Sequence, residues 1–348
     1  MKLALALGHF TSVEDARRRI EQARHAEQLG YSSVWASEAY GSDAVTLLAH
    51  IQAITTTLEI GSAVMQIPAR TPAMTAMTAA SMDLLSDGRF RLGLGVSGGQ
   101  VSEGWHGVPF AAPMARTREY VSIVRQALRR EIVRNDGPHY PLPSTGSQSK
   151  GLKLSLHPLR SDIPIYLAAV GPDSVSLTGK IADGWLASLL SVDTAATAIA
   201  RLASARESAG LTMDGFDVLL NTPVVIGDDV AACADQLRDH VALYVGGMGS
   251  RTQNFYNRAA VEMGFEEEAG KIQDLYLSGD RVAAAAAVPV ELIDQISLLG
   301  PLERIAERLQ AFAAVGVTTI AIGSTGGREL GPETLGQVAD AFDSAGVR

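Results

Sequence analysis

Apolar positions along the chain follow two alternating periods. Short apolar runs of strand length recur at 3–7, 33–36, 58–64, 90–94, 165–169, 184–188, 218–226 and 317–322. Between them apolar residues return every three or four positions, the spacing of a helix with one buried face. That spacing predicts helices over 12–29, 43–55, 71–85, 113–129, 172–181, 194–208, 228–245, 301–315 and 332–345. In the first of these, Ser12 and Asp15 give an N-cap signal, Ala16, Ile20, Ala23 and Ala26 form a stripe, and Gly30 ends it.

The rhythm breaks twice. The stretch near 130–162 is rich in prolines, glycines and serines and has no stripe. It is longer than an ordinary loop, which predicts a surface insertion that helps cover a substrate. The stretch near 246–290 is glycine-rich and then helical. Eight strands, each close to a helix, imply right-handed crossovers and a parallel sheet. We therefore expect an α/β fold: a (β/α)8 TIM barrel with insertions, forming a single domain over 1–348. An open doubly wound sheet is the alternative, but no early strand opens its helix through GxGxxG. In either fold, ligands sit beyond the carboxyl ends of the strands.

Composition narrows the class. With 47% hydrophobic residues over 348 positions, extended disorder is excluded. Cys233 is the only cysteine, so no intrachain disulfide forms. The net charge of -9 argues against broad nucleic-acid binding. No apolar stretch approaches the roughly 20 residues of a membrane span, and no signal peptide is evident. A cytoplasmic protein that binds neither nucleic acid nor membrane is the expectation.

The carboxyl-end segments hold few acid–base groups. The seven histidines form no metal-binding pair, and HExxH, CxxC, GxSxG and Walker patterns are absent. GVSGG at 95–99 and GSTGG at 323–327 could bring backbone amides to an anion, or could simply close turns. AAVGPDS at 168–174 runs from a strand end into a helix start. It could hold a phosphate there, or be a plain cap by Asp173 or Ser174. The apolar 63–67 segment could back a flat ring or lie in the core. Glu38, in SEAYGSD, could shuttle a proton, or cap the helix near Asp43. An apolar, glycine-lined mouth with few acid–base groups suits an enzyme whose cofactor carries the chemistry.

The segments WASEAYGSDA, GSAVMQIPARTPAMTAMTAASMDLLSDGRFRLGLGVSGGQVSEGWHGVPF, IPIYLAAVGPDSVSLTGKIADGWL and FYNRAAVEMGFEEEA resemble the bacterial luciferase-like superfamily. Within it they are most similar to the coenzyme F420-dependent branch, which includes methylenetetrahydromethanopterin reductase. The resemblance implies a barrel whose mouth holds the deazaflavin against a bulged third strand containing a non-prolyl cis peptide. The matching residues are Ala63 and Val64, followed by Met65 and Gln66. It implies phosphate binding at Ala168, Ala169, Val170, Gly171 and Pro172, and a fourth-strand loop at Val96, Ser97, Gly98 and Gly99. Many relatives carry an acidic residue followed by a histidine after the second strand. Here the pair is Glu38 and Ala39, which leaves Glu38 as the ring contact and catalytic candidate. His9, Tyr40, Glu103 and His106 are the other candidate proton donors.

The resemblance implies hydride transfer between coenzyme F420 and a small organic substrate. The alternative is an FMN-dependent luciferase-like monooxygenase; a cofactor-binding protein without turnover is a third reading. Helices 43–55 and 71–85 are poor in charge, and 71–82 has none, so burial against a second copy as a homodimer is expected. Burial under an insertion of the same chain is the alternative.

Overall fold

The computed structural model describes residues 1–323 and 330–347. Among the described residues ten strands occur in chain order: β1 Lys2–Gly8, β2 Ser33–Ala36, β3 Glu59–Ser62, β4 Met65–Gln66, β5 Phe90–Gly95, β6 Ile165–Ala168, β7 Gly184–Ser188, β8 Asp217–Ile226, β9 Leu298–Gly300 and β10 Thr319–Gly323. All pair in parallel, in the order β10-β1-β2-β3-β5-β6-β7-β8, and β10 pairs β8 as well, which closes the ring. β4 continues the third barrel strand after a break and pairs β5, while β9 extends the far end of β8. The fold is the expected (β/α)8 barrel.

Side chains alternate across each strand, as the pleat requires. Outward residues such as Leu3, Leu5, Ile60, Leu92 and Ile320 join the main core under the surrounding helices. Inward residues Ala4, Trp35, Tyr166, Leu186, Leu219 and Ala321 form a separate cluster within the barrel. Trp35 and Tyr166 meet edge to face, with centroids 5.0 Å apart. Two glycines make room for them: a Cβ at Gly61 would lie 2.3 Å from the Trp35 ring, and one at Gly184 equally close to Tyr166. The Tyr166 hydroxyl donates to Asp217 at 2.9 Å, and Arg91 pairs with Glu59. The amino end of the barrel is therefore filled.

The first insertion does not cover the mouth. Arg160 grips the fully buried Asp83 and the Phe90 carbonyl, while Arg130 holds the Leu154 carbonyl. Those anchors place its later part along the outside of the barrel, toward the amino end of β5. Tyr140, packed on Tyr120, lies beside the loop that follows β5. The expected cover is a strap instead.

The second insertion has its own core, built from Val225, Leu237, Val241, Ala260, Ile272, Ala284, Leu292 and neighbours. The expected helix over 228–245 is split into Val230–Asp235, Arg238–Ala242 and a π-helical turn, Leu243–Gly247. Four further helices lie between Phe255 and Gln295. Among the described residues, no helix is long and apolar enough to cross a membrane.

Candidate active site

At the carboxyl ends of the strands the inward residues become small. They are Ala6, Ala63, Gly95, Ala168, Ser188 and Gly323, with Asn221 exposed in mid-strand. The third barrel strand breaks between Ser62 and Met65, and the Ala63–Val64 peptide there is cis. Val64 leans over Gly95, where a Cβ would meet its Cγ2 at 2.6 Å. Ala63 and Val64 thus form an apolar, half-exposed floor against the barrel cluster.

Glu38 is 6% exposed and fully engaged. Its Oε1 lies 2.7 Å from Nη2 of Arg70 and 3.4 Å from the Ala44 amide. Its Oε2 accepts from Nη1 of Arg70 at 2.9 Å and from the Gln66 amide at 3.1 Å. Burial alone would lower the Arg70 pKa; the hydrogen bond and charge of Glu38, with Asp43, outweigh it and hold it raised. A carboxylate with both oxygens taken this way is a clamp joining the second and third barrel strands. The helix-start reading is also partly met, although Asp43 itself caps that helix.

Past the clamp, Gln66 is 4% exposed and faces the loop after β5. Its Nε2 donates to Ser97 Oγ at 2.9 Å, and its Oε1 lies 2.8 Å from His106 Nε2. Ser97 has a φ of 62°, and Gly98 caps a short helix, Gly99–Gly104, unseen in the sequence. Four candidates are therefore brought together: Glu38, Gln66, Ser97 and His106. Met65 is completely buried and Ala169 nearly so, and both side chains face the outer core. Only their backbones are left to a ligand.

Gly171 caps the helix Pro172–Ile181 without any side-chain hydrogen bond, so the cap by Asp173 or Ser174 does not form. The Ser174 hydroxyl turns back to the Gly171 carbonyl at 2.7 Å. The first-turn amides of Asp173 and Ser174 therefore lack a side-chain acceptor, as an anion site requires. A shallow cleft lies beside this turn, lined by Gly95, Val96, Met114, Thr117, Ala168 and Ser174. Of GSTGG, residues 324–327 lie outside the described residues.

The second insertion faces the mouth, which sequence reasoning missed. Tyr256 lies beside Ser188 at the end of β7. Tyr244 packs on Tyr256 at 4.8 Å and lies within electrostatic reach of Tyr40, beyond β2 on the opposite side of the ring. Burial raises the pKa of both hydroxyls, Tyr244 with help from Tyr40. Asn254 donates to the Tyr244 and Val245 carbonyls at 3.0 and 2.9 Å, and Asn257 to Val245 at 3.1 Å, which holds the π turn. No cluster of metal-ligating side chains occurs among the described residues.

Comparison with known proteins follows the same lines. The family model described as luciferase-like monooxygenase matches residues 4–319. A protein of Mycobacterium tuberculosis named as a coenzyme F420-dependent oxidoreductase is 40% identical over 329 residues, 92% of this chain and 94% of its own. A 5,10-methylenetetrahydromethanopterin reductase of Archaeoglobus fulgidus is 27% identical over 309 residues, 88% of each chain. The solved structure of the coenzyme F420-dependent tetrahydromethanopterin reductase from Methanopyrus kandleri superposes with a TM-score of 0.83, covering 99% of this chain and 98% of that one. Its 21% identity makes that a likeness of fold.

Proposed function

The chain belongs to the luciferase-like family as an oxidoreductase, and we propose that it uses coenzyme F420 to transfer a hydride to or from a small organic substrate. The observation that carries this reading is the apolar Ala63–Val64 floor beside small inward residues, with an uncapped helix start across the mouth. A flat ring needs such a floor. A phosphate needs the free amides of Asp173 and Ser174 and the open space at Gly171, where the nearest atom to an added Cβ is Ser174 Oγ at 3.9 Å. When bound, the deazaflavin supplies the carbon that gives or takes the hydride. The chain fixes which face is presented, through Val64 on Gly95 and the Arg70–Glu38–Gln66 clamp. Tyr244 and Tyr256 narrow the mouth and exclude water.

Fluorescence titration of the purified protein with F420 and with FMN tests the reading. F420 should bind and FMN should not; exclusive FMN binding would overturn it in favour of a monooxygenase.

We also infer a homodimer. Met74, Met77, Leu84 and Leu85 project from the helix Pro72–Leu85, with exposures of 51%, 50%, 43% and 69%. Neither insertion covers them. A stripe this apolar suits burial against a second copy. Sedimentation at micromolar concentration should give a dimer, and a monomer there would refute it.

A further inference from the structure

We propose that His106 is the catalytic residue that exchanges a proton with the substrate, that Gln66 positions it, and that the substrate pair is a carbonyl and its alcohol. This rests on the hydride-transfer reading above. A carbonyl carbon that gains a hydride leaves charge on its oxygen, so a proton donor must stand at the mouth. The chain lacks a histidine at 39, and Glu38 is occupied by Arg70 and two amides. Glu103 is exposed and accepts the Phe110 amide at 2.9 Å. Tyr40 and His9 are exposed, and among the described residues no hydrogen bond orients their side chains.

His106 alone among these is both half-buried and oriented. Gln66 Nε2 is committed to Ser97, so its Oε1 is the atom turned to His106, and Nε2 of the ring must carry the proton. Nδ1 has no hydrogen-bond partner among the described residues. The Gln66 backbone is itself held by Glu38, and Glu38 by Arg70. This is the geometry of a base oriented by a second group, which is in turn fixed by a third. Gln66 and Ser97, which face the ring from the other elements, are neutral. The charges nearest along the network, Glu38 and Arg70, are paired, and Glu103 lies on the segment of His106 itself.

In reduction, the hydride bonds to the carbonyl carbon and the π pair of C=O moves to oxygen. His106, as imidazolium, gives that oxygen its Nδ1 proton. The two electrons would be supplied by bound, reduced deazaflavin, leaving it oxidised. In the reverse direction neutral His106 takes the alcohol proton through Nδ1.

Two readouts test this. Nitrogen-15 NMR of the cofactor-free protein should show His106 as the Nε2–H tautomer, assigned by loss of its signals in His106→Gln. That preference should vanish in Gln66→Leu and persist in Gln66→Glu. With F420 loaded and cyclohexanone or 2-propanol as probe, His106→Gln should bind F420 as wild type does. It should slow single turnover by about 100-fold or more. An Nδ1–H tautomer, or a wild-type rate in His106→Gln, overturns the proposal. Wild type that binds F420 but turns over neither probe overturns the carbonyl assignment. Failure to bind F420 at all sinks the underlying reading, and this one with it.

Discussion

At the amino end of the barrel the inward positions carry Trp35, Tyr166, Glu59, Arg91 and Asp217; at the carboxyl end of the same strands they carry Ala6, Ala63, Gly95, Ala168, Ser188 and Gly323. The pleat is the same and the outward face is equally apolar at both ends. Side-chain volume differs, and so does charge, which among these positions only the amino end carries. Large rings seated on Gly61 and Gly184 plug one end, and missing volume opens the other. A closed barrel has no edge at which to bind anything, so its ligand site must be made by leaving inward positions small. Stability and binding are in this way assigned to opposite ends of one structure, and substitutions should separate them.

The largest effect is expected at the plugged end. Trp35→Ala should cost about 3–5 kcal/mol, because the barrel cannot collapse into the space. F420 affinity in the surviving folded protein should fall far less than its stability, although the Ala63–Val64 floor packs against the same cluster. At the open end Gly171→Asp should do the reverse. Its carboxylate would repel the cofactor phosphate and cost about 3 kcal/mol of binding, over a hundredfold in affinity, with the melting temperature unmoved. Calorimetric melting and fluorescence titration of both variants check the pair. A Gly171→Asp protein that keeps its affinity removes this turn from the site.

The same contrast explains what the sequence could reveal. A strand buried on both faces reads as an apolar run, so all eight barrel strands were visible, most within two residues of their ends. β9 has three residues and only extends β8, too short for any period to register. The helix over 228–245 was read as continuous because its pattern is helical; the break and π turn answer to packing, with Gly246 and Gly247 lying against Tyr276. The glycines of 95–104 masked the helix Gly99–Gly104. The Ala63–Val64 cis bond came through family resemblance, not through residue pattern. Nothing local ties Glu38 to Arg70, thirty-two positions away, so its role as a clamp emerged only with the fold. Tyr244 faces the mouth from a position no motif marks, and Tyr256 from within the FYNRAAVEMGFEEEA segment, where the resemblance gave it no role.

A smaller effect is expected where the two roles meet. Glu38→Gln keeps the shape but replaces one acceptor with a donor facing Arg70. Losing the charge-assisted pair should cost about 2 kcal/mol of stability and loosen Gln66, so turnover should fall as well. Melting temperature and single-turnover rate on one variant decide it. Lost turnover at full stability would return Glu38 to the role of acid–base catalyst.

An effect confined to stability belongs to the helix Arg238–Ala242 beside the second insertion. His240 stacks on Tyr244 at 4.5 Å, and burial pushes its pKa from the ordinary 6.5 down to about 4. Between those values the unfolded chain binds a proton that the folded chain refuses. Stability should therefore be fully present above about pH 6.5 and fall as the pH drops toward 4. Because the side chain retains some exposure, solvent screening reduces the loss to about 2 kcal/mol. His240→Phe should flatten that part of the profile, whereas Trp35→Ala should lower the whole curve and leave its slope alone. Melting temperatures from pH 7 to pH 4 read both. An unchanged slope in His240→Phe would mean that the ring is hydrated in the folded protein, and that the cover over the mouth is wetter than the plug beneath the barrel.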